Sequence, residues 1–287
     1  MKVLITGASG QLGLDCVDAF ASDEVVALGR DHLDVADEAA VWDAVGSHAP
    51  DVVVNAAAWT DVDGCEDDPV RAHRVNALGS WWMARACSAV GARLVTISSD
   101  YVFSGERLAG DRAWSEVDPI APLNAYGRSK AAGERLVRET LTEHHIVRTA
   151  WLAGARGDNF VVGMLRLARE RGEVSVVDDQ VGSPTFTRDL APALRRLVVA
   201  RRYGTVHLAN AGRCSWHELA AAVFELAGLD VEVAAMSSAS LARPARRPGW
   251  SVLDGTHAAA LGVGPLPHWR DSLARLVGEL RSGRPSG

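Results

Sequence analysis

Four short apolar runs constrain this chain more than anything else in it: VLIT (3–6), VVAL (25–28), DVVVN (51–55) and RLVTIS (93–98). Each is bounded by turn or polar residues, and helix-length segments separate them. Runs of this kind form parallel strands buried on both faces, and a parallel strand needs a long crossover, usually a helix. A helical segment rich in Ala, Arg and Trp, from Pro69 to Val90, separates the third run from the fourth. HIVRTAW (145–151) and EVSVV (173–177) continue the pattern around a helix over 160–171, and a further sheet element falls near 204–208. The expected fold class is α/β, a doubly wound parallel sheet.

After about residue 150 the texture changes. Ser-Pro-Thr at 183–185, ARPARRPGW (242–250) and GVGPLP (262–267) interrupt the alternation, with helices expected over 187–200, 215–228 and 268–281. Residues 1–150 therefore read as a nucleotide-binding domain, and residues 151–287 as mainly a smaller substrate-binding lobe interleaved with it. A chain of 287 residues with 48% hydrophobic content can bury cores of that size. Its net charge of −6 argues against nucleic acid or an anionic membrane as partner, since both need a positive face. No apolar run approaches the ~18 residues of a membrane span, and the N-terminus runs straight into a strand, so a cytoplasmic location is expected. Cys16, Cys65, Cys87 and Cys214 have neither metal-ligand nor CxxC spacing and read as buried reduced thiols. Only the tail SGRPSG (282–287) reads as disordered.

GASGQLG, Gly7 to Gly13, sits between the first strand and the helical LGLDCVDAF. Glycines at a strand-to-helix turn let backbone approach a pyrophosphate, while helix N–H groups and the helix dipole stabilise its charge. That placement makes the sheet Rossmann-like and the ligand a dinucleotide, although the spacing is GxxGxxG rather than GxGxxG. The second strand ends in ALGRDHLDV, where an acidic residue would receive the ribose hydroxyls. Arg30 occupies that place and favours NADPH, through a 2′-phosphate, over NADH. The alternative is a solvated Arg30 with Asp31 or Asp34 serving the ribose.

AYGRSKAAGE (125–134) carries Tyr126 and Lys130 on one helix face. Among 30 basic residues the only lysines are Lys2 and Lys130, and there are three tyrosines, so chance gives such a pair about 0.02 times. An ammonium beside a phenol, with an oxidised nicotinamide ring, favours the phenolate and lets Tyr126 pass a proton to a carbonyl oxygen as hydride arrives. Arginine substitutes poorly, because a broad rigid fork replaces a compact charge that can also bond ribose hydroxyls. SSDYVFSG (98–105) follows the fourth strand and places Ser99 where it can bond the substrate oxygen. NAAAWTD (55–61) ends the third strand in small residues that let a nicotinamide ribose approach the backbone.

Together these motifs resemble the extended short-chain dehydrogenase/reductase family, and within it the dTDP-4-dehydrorhamnose reductases. NAAAWTDVDGCEDDP, RTAWLAG, NF, DDQVGSPT and ARRPGWSVLD extend the resemblance over nearly the whole chain. It implies NAD(P)H reduction of the C4 ketone of dTDP-4-dehydro-β-L-rhamnose. It implies that Gly10, Gln11 and Leu12 hold the pyrophosphate, that Arg30, Asp34 and Val35 surround the adenosine, and that Ala58, Trp59, Thr60 and Ile97 line the path to nicotinamide. Ser99 and Asp100 would contact the sugar, and Trp151 would wall its site. Ser99 stands where the family usually has threonine, which keeps the hydroxyl. Some members bind magnesium at a dimer contact; Asp15 matches one of those acids but Arg188 occupies another, which argues against a metal here and leaves a homodimer open. Asp100 is followed by Tyr101 rather than by glutamate, which argues against a dehydratase. A ketoreductase for another dTDP-4-keto-6-deoxyhexose stays open, while the intact Ser99, Tyr126 and Lys130 argue against a non-catalytic dinucleotide-binding subunit.

Overall fold

The computed structural model describes residues 1–170 and 172–283. The nucleotide half runs β1 (Lys2–Thr6), α1 (Gln11–Ala19), β2 (Glu24–Leu28), α2 (Glu38–His48), β3 (Val52–Asn55), α3 (Val62–Asp67), α4 (Pro69–Ala72), α5 (Gly79–Val90), β4 (Arg93–Ser99), α6 (Ala125–Thr140) and β5 (His144–Thr149). Then follow β6 (Leu152–Ala153), α7 (Phe160–Leu167), β7 (Glu173–Val177), β8 (Val181–Gly182), β9 (Thr185–Phe186), α8 (Thr187–Ala200) and β10 (Gly204–His207). The chain closes with β11 (Asn210–Ala211), β12 (Cys214–Ser215), α9 (Trp216–Ala227), β13 (Glu232–Met236), β14 (Trp250–Ser251), α10 (Thr256–Ala260), β15 (Leu266–His268) and α11 (Trp269–Ser282).

Six strands form one parallel sheet in the order β10-β5-β4-β3-β1-β2. Successive side chains point to opposite faces, so each inner strand feeds two cores. Val3, Ile5, Val52, Val54, Val95 and Val147 pack with α1 and with Leu190, Leu194 and Leu197 of α8. Leu4, Val53, Leu94 and Ile146 pack against Val41 and Val45 of α2, Met83 and Cys87 of α5, and Val137 of α6. A third cluster, built on Val161, Phe186, Leu219, Val223, Phe224, Leu273 and Val277, is the core of the second half. Thus α8 and β10, from that second half, complete the first. All four cysteines are free and buried: Cys16, Cys87 and Cys214 lie one in each of these three clusters, and Cys65 lies beside Tyr126.

One strand departs from expectation. Glu173–Val177 does not join the main sheet; β7 pairs with β13 in a separate two-stranded sheet. The edge beside β5 is already taken by β10, and Glu173 and Ser175 point to solvent, so the strand can bury only one face. The segment 69–90 is helical throughout, but His73–Leu78 adopts π-helical bonding between α4 and α5. The helix expected over 160–171 ends at Leu167, and Arg171 lies outside the described residues. The last helix reaches Ser282 into the expected tail, of which residues 284–287 lie outside the described residues. Among the described residues no helix is long and apolar enough to cross a membrane.

His145 is buried in this frame at a cost. Among the described residues neither of its ring nitrogens has a hydrogen-bond partner, and its ring meets Tyr203 edge-on at 5.3 Å. Burial, with the charges of His144 and Arg93, lowers its pKa from 6.5 to about 4. Below pH 6.5 the unfolded chain therefore binds a proton that the folded chain refuses, and stability falls as pH falls toward 4. Because His145→Phe keeps the edge contact, urea unfolding should show the variant losing about 2 kcal/mol less than wild type between pH 7 and pH 5. Equal losses would mean that His145 takes its proton in the folded state.

Candidate active site

Helix α6, which carries Tyr126 and Lys130, is fixed at its first turn. Asn124 caps α6 by accepting from Gly127 N at 2.8 Å, and its amide donates to Arg246 O at 2.7 Å. That anchoring turns Tyr126 and Lys130, both under a tenth exposed, toward the carboxyl ends of the strands. There β4 ends in Ser99, whose Oγ donates to Asp100 Oδ1 at 2.8 Å and accepts from Tyr101 N at 3.2 Å. Ser99, Tyr126 and Lys130 line one cavity of about 470 Å³, together with Gly10, Gln11, Leu12, Gly13, Ala58, Thr60, Ile97, Asp100 and Trp151.

Burial dominates the electrostatics. It lowers the Lys130 ammonium to about 8, against the pull of Glu134. It raises the Tyr126 phenol well above its ordinary value, opposed by the Ser99 hydroxyl and helped by Asp100. The phenol is therefore held protonated, as a proton donor requires, rather than shifted toward the phenolate by Lys130. Burial also pushes the Asp100 carboxyl up to about 6, and among the described residues its Oδ2 has no hydrogen-bond partner. Nearby Ser251 favours the charged form of Asp100 without completing a bond of normal geometry to Oδ2.

A second cavity, of about 220 Å³, adjoins the glycine loop and is lined by Gly7, Gly10, Arg30, Asp34, Val35, Ala58 and Trp59. Gly7 has φ 64°, and a Cβ there would lie 2.7 Å from Ala57 N, so only glycine allows this approach of loop and β3 end. Trp59 was expected on the path of the first cavity, but it lines only the second. Asn76, on the π-helical turn, explains this: its side chain accepts from Trp59 N at 2.8 Å and donates to Trp59 O at 3.0 Å and Ser129 Oγ at 3.0 Å. The ring so held lies under the Arg71 guanidinium, 4.2 Å from it.

Arg71 and Trp216 line the two cavities and Asn76 holds Trp59, and the sequence motifs reveal none of the three. Asn76 sits in an ordinary helical stretch whose π-turn has no sequence period, and Arg71 is one arginine among many. Trp216 lines the larger cavity and stacks on Trp151. Over the glycine loop, Gln11 donates to Leu152 O at 3.4 Å and accepts from Asn159 at 3.4 Å, tying α1 to the second half. Asp15, which matched a magnesium-binding acid, pairs with Arg156, and Arg188 lies 3.2 Å from Glu279. A cation at Asp15 would have to displace that guanidinium.

Known proteins share this fold. The chain is 47% identical to dTDP-4-dehydrorhamnose reductase of Streptomyces griseus, over 98% of this chain and 95% of that one. A crystal structure of dTDP-4-dehydrorhamnose reductase from Clostridium acetobutylicum superposes with a TM-score of 0.94 at 39% identity, covering 98% and 100% of the two chains. The structure of the Bacillus anthracis reductase in complex with NADP gives 0.93 at 38% identity, covering 97% and 99%. With its family model, the RmlD substrate binding domain, matched over residues 1–282, the chain belongs to that family.

Proposed function

We propose that this protein reduces the C4 ketone of dTDP-4-dehydro-β-L-rhamnose to dTDP-L-rhamnose with NAD(P)H, in the cytoplasm. The observation that carries the reading is the convergence of Ser99 from β4 and Tyr126 and Lys130 from α6 on one cavity that the glycine loop also borders. The names of the relatives support the substrate. Residues 1–150 hold the dinucleotide and residues 151–287 mainly the sugar nucleotide, with α8 and β10 returning to the first half.

The residues fit a dinucleotide: the loop at Gly7 leaves backbone where a side chain would intrude, and Arg30 and Arg71 make the smaller cavity positive against Asp34. When bound, a reduced nicotinamide supplies the hydride. Ser99 bonds and orients the ketone oxygen, and Tyr126 gives that oxygen its proton as negative charge develops. Lys130 bonds the ribose and offsets the charge left on the phenol. Asp100 and Trp151 border the sugar.

The test is to offer purified protein enzymatically generated dTDP-4-dehydrorhamnose with NADPH or NADH and identify the sugar formed. No cofactor oxidation with either sinks the reading, whereas turnover of dTDP-4-keto-6-deoxyglucose alone would move it to another deoxyhexose. Two arginines beside the expected ribose also favour NADPH. Arg30→Ala should cut kcat/KM for NADPH by about tenfold or more, the scale of one charge-assisted contact, and leave NADH within about threefold. Equal losses with both cofactors would show that Arg30 does not read a 2′-phosphate.

A further inference from the structure

Trp151 holds a left-handed backbone, with φ 47°. For a bulky residue that is a strained conformation, which persists only where the surroundings over-determine it. Here they do. The Trp151 indole lies flat on that of Trp216, 3.6 Å between centroids and 7° between planes, and Phe160 packs on Trp216 at 4.6 Å. A methyl group at Gly182 would sit 2.5 Å from Trp151 Cε2 and 2.7 Å from Cζ2.

These partners share one small scaffold. The strands β12, β8 and β14 form a three-stranded sheet in that order, with Gly182 on the middle strand between Cys214 and Ser251. Strand β12 leads directly into Trp216, the first residue of α9, whose N-cap Ser215 makes a capping box with Glu218 and donates to Asp178 at 2.7 Å. The same sheet therefore fixes the residue that stacks on Trp151 and the gap that receives it.

We propose that Trp216 and Gly182 are positioning residues for Trp151: one holds the indole by stacking and the other by lacking a Cβ, so that the deoxysugar ring meets a rigid wall and presents its ketone to Tyr126. This rests on the reading that Trp151 walls the sugar site. A side chain at residue 182 would displace the indole by about 1 Å to restore ordinary contact, and misplacement on that scale can cost up to about 10²-fold in rate.

The test compares Trp216→Ala, Trp216→Tyr and Gly182→Ala with wild type in steady-state kinetics, thermal unfolding and circular dichroism. Trp216→Ala is expected to lower kcat/KM for the dTDP-4-keto sugar by about 10- to 100-fold, mostly through KM, with KM for NADPH within about twofold. Trp216→Tyr, which keeps a flat ring, should recover most of the loss. Gly182→Ala should reproduce the sugar defect; if it does not fold, the Trp216 series decides. A folded Trp216→Ala enzyme with sugar kinetics within twofold of wild type overturns the proposal, as does a parallel loss toward NADPH, which would mark general destabilisation. The paired-indole dichroism band should vanish in Trp151→Phe and Trp216→Phe alike, and its survival in either also overturns it. Failure of wild type to reduce any dTDP-4-keto sugar would sink the proposed function instead, leaving that band to report the stack.

Discussion

Tyr126→Phe is expected to lower kcat by about 10²- to 10⁴-fold, the usual worth of a positioned general acid, while NADPH binding stays within about twofold. The ring itself is a packing element: it meets Tyr101 edge-on at 5.5 Å and lies in a small cluster with Cys65, Ala72 and Ala125. Phenylalanine keeps that packing and removes only the hydroxyl, so loss of turnover without loss of fold isolates the proton. Cofactor oxidation at saturating dTDP-4-keto sugar measures kcat, and fluorescence titration measures NADPH binding. A variant with near-normal kcat would mean that water or Ser99 supplies the proton.

Removing one member of the buried ion pair behind α6 should have the largest effect on stability. Arg148 of β5 donates twice to Glu134 of α6, at 2.9 and 2.7 Å, and Ser98 of β4 donates to the same carboxylate at 2.6 Å. Both charged side chains are at most 3% exposed, and the guanidinium lies 5.1 Å over the Phe103 ring. Glu134→Leu leaves Arg148 buried without its counter-charge, so a loss of about 3–5 kcal/mol is expected by urea unfolding. Adding Arg148→Met should return much of it, because a buried pair is worth little against a well-packed apolar replacement. A single variant within 1 kcal/mol of wild type would mean that water reaches the pair. Since Glu134 lies one turn beyond Lys130, the single variant should also lose turnover.

The parts of this molecule that repeat a physical rule were legible in the sequence. In β3 the successive residues Val52, Val53 and Val54 are all apolar because both faces are covered, and Tyr126 and Lys130 share a face because four residues make about one helical turn. EVSVV misled through its β-branched content, although its polar first and third positions already carried the alternation of a strand buried on one side. The glycine loop, Ser99 and the Tyr–Lys pair are local motifs, and all converge as read. What stayed hidden depends on contacts between distant segments. Nothing near Trp151 points 65 residues onward to Trp216, nothing near Trp59 announces Asn76, and Glu134 shows no sign of its partner on the next strand.

The buried cysteines have a practical consequence. Burial raises Cys16 and Cys87 to about 12 and Cys65 to about 11, and raises Cys214 further, so scarcely any thiolate exists at neutral pH. Alkylating reagents attack the thiolate and need access, so labelling of the native protein must wait for an opening. Cys16 faces one side of the main sheet, Cys87 the other, Cys214 the second core, and Cys65 the Tyr126 ring. Nature has thus placed four chemical clocks in four regions of the molecule, and the order in which an alkylating reagent stops them would give the order in which those regions come apart.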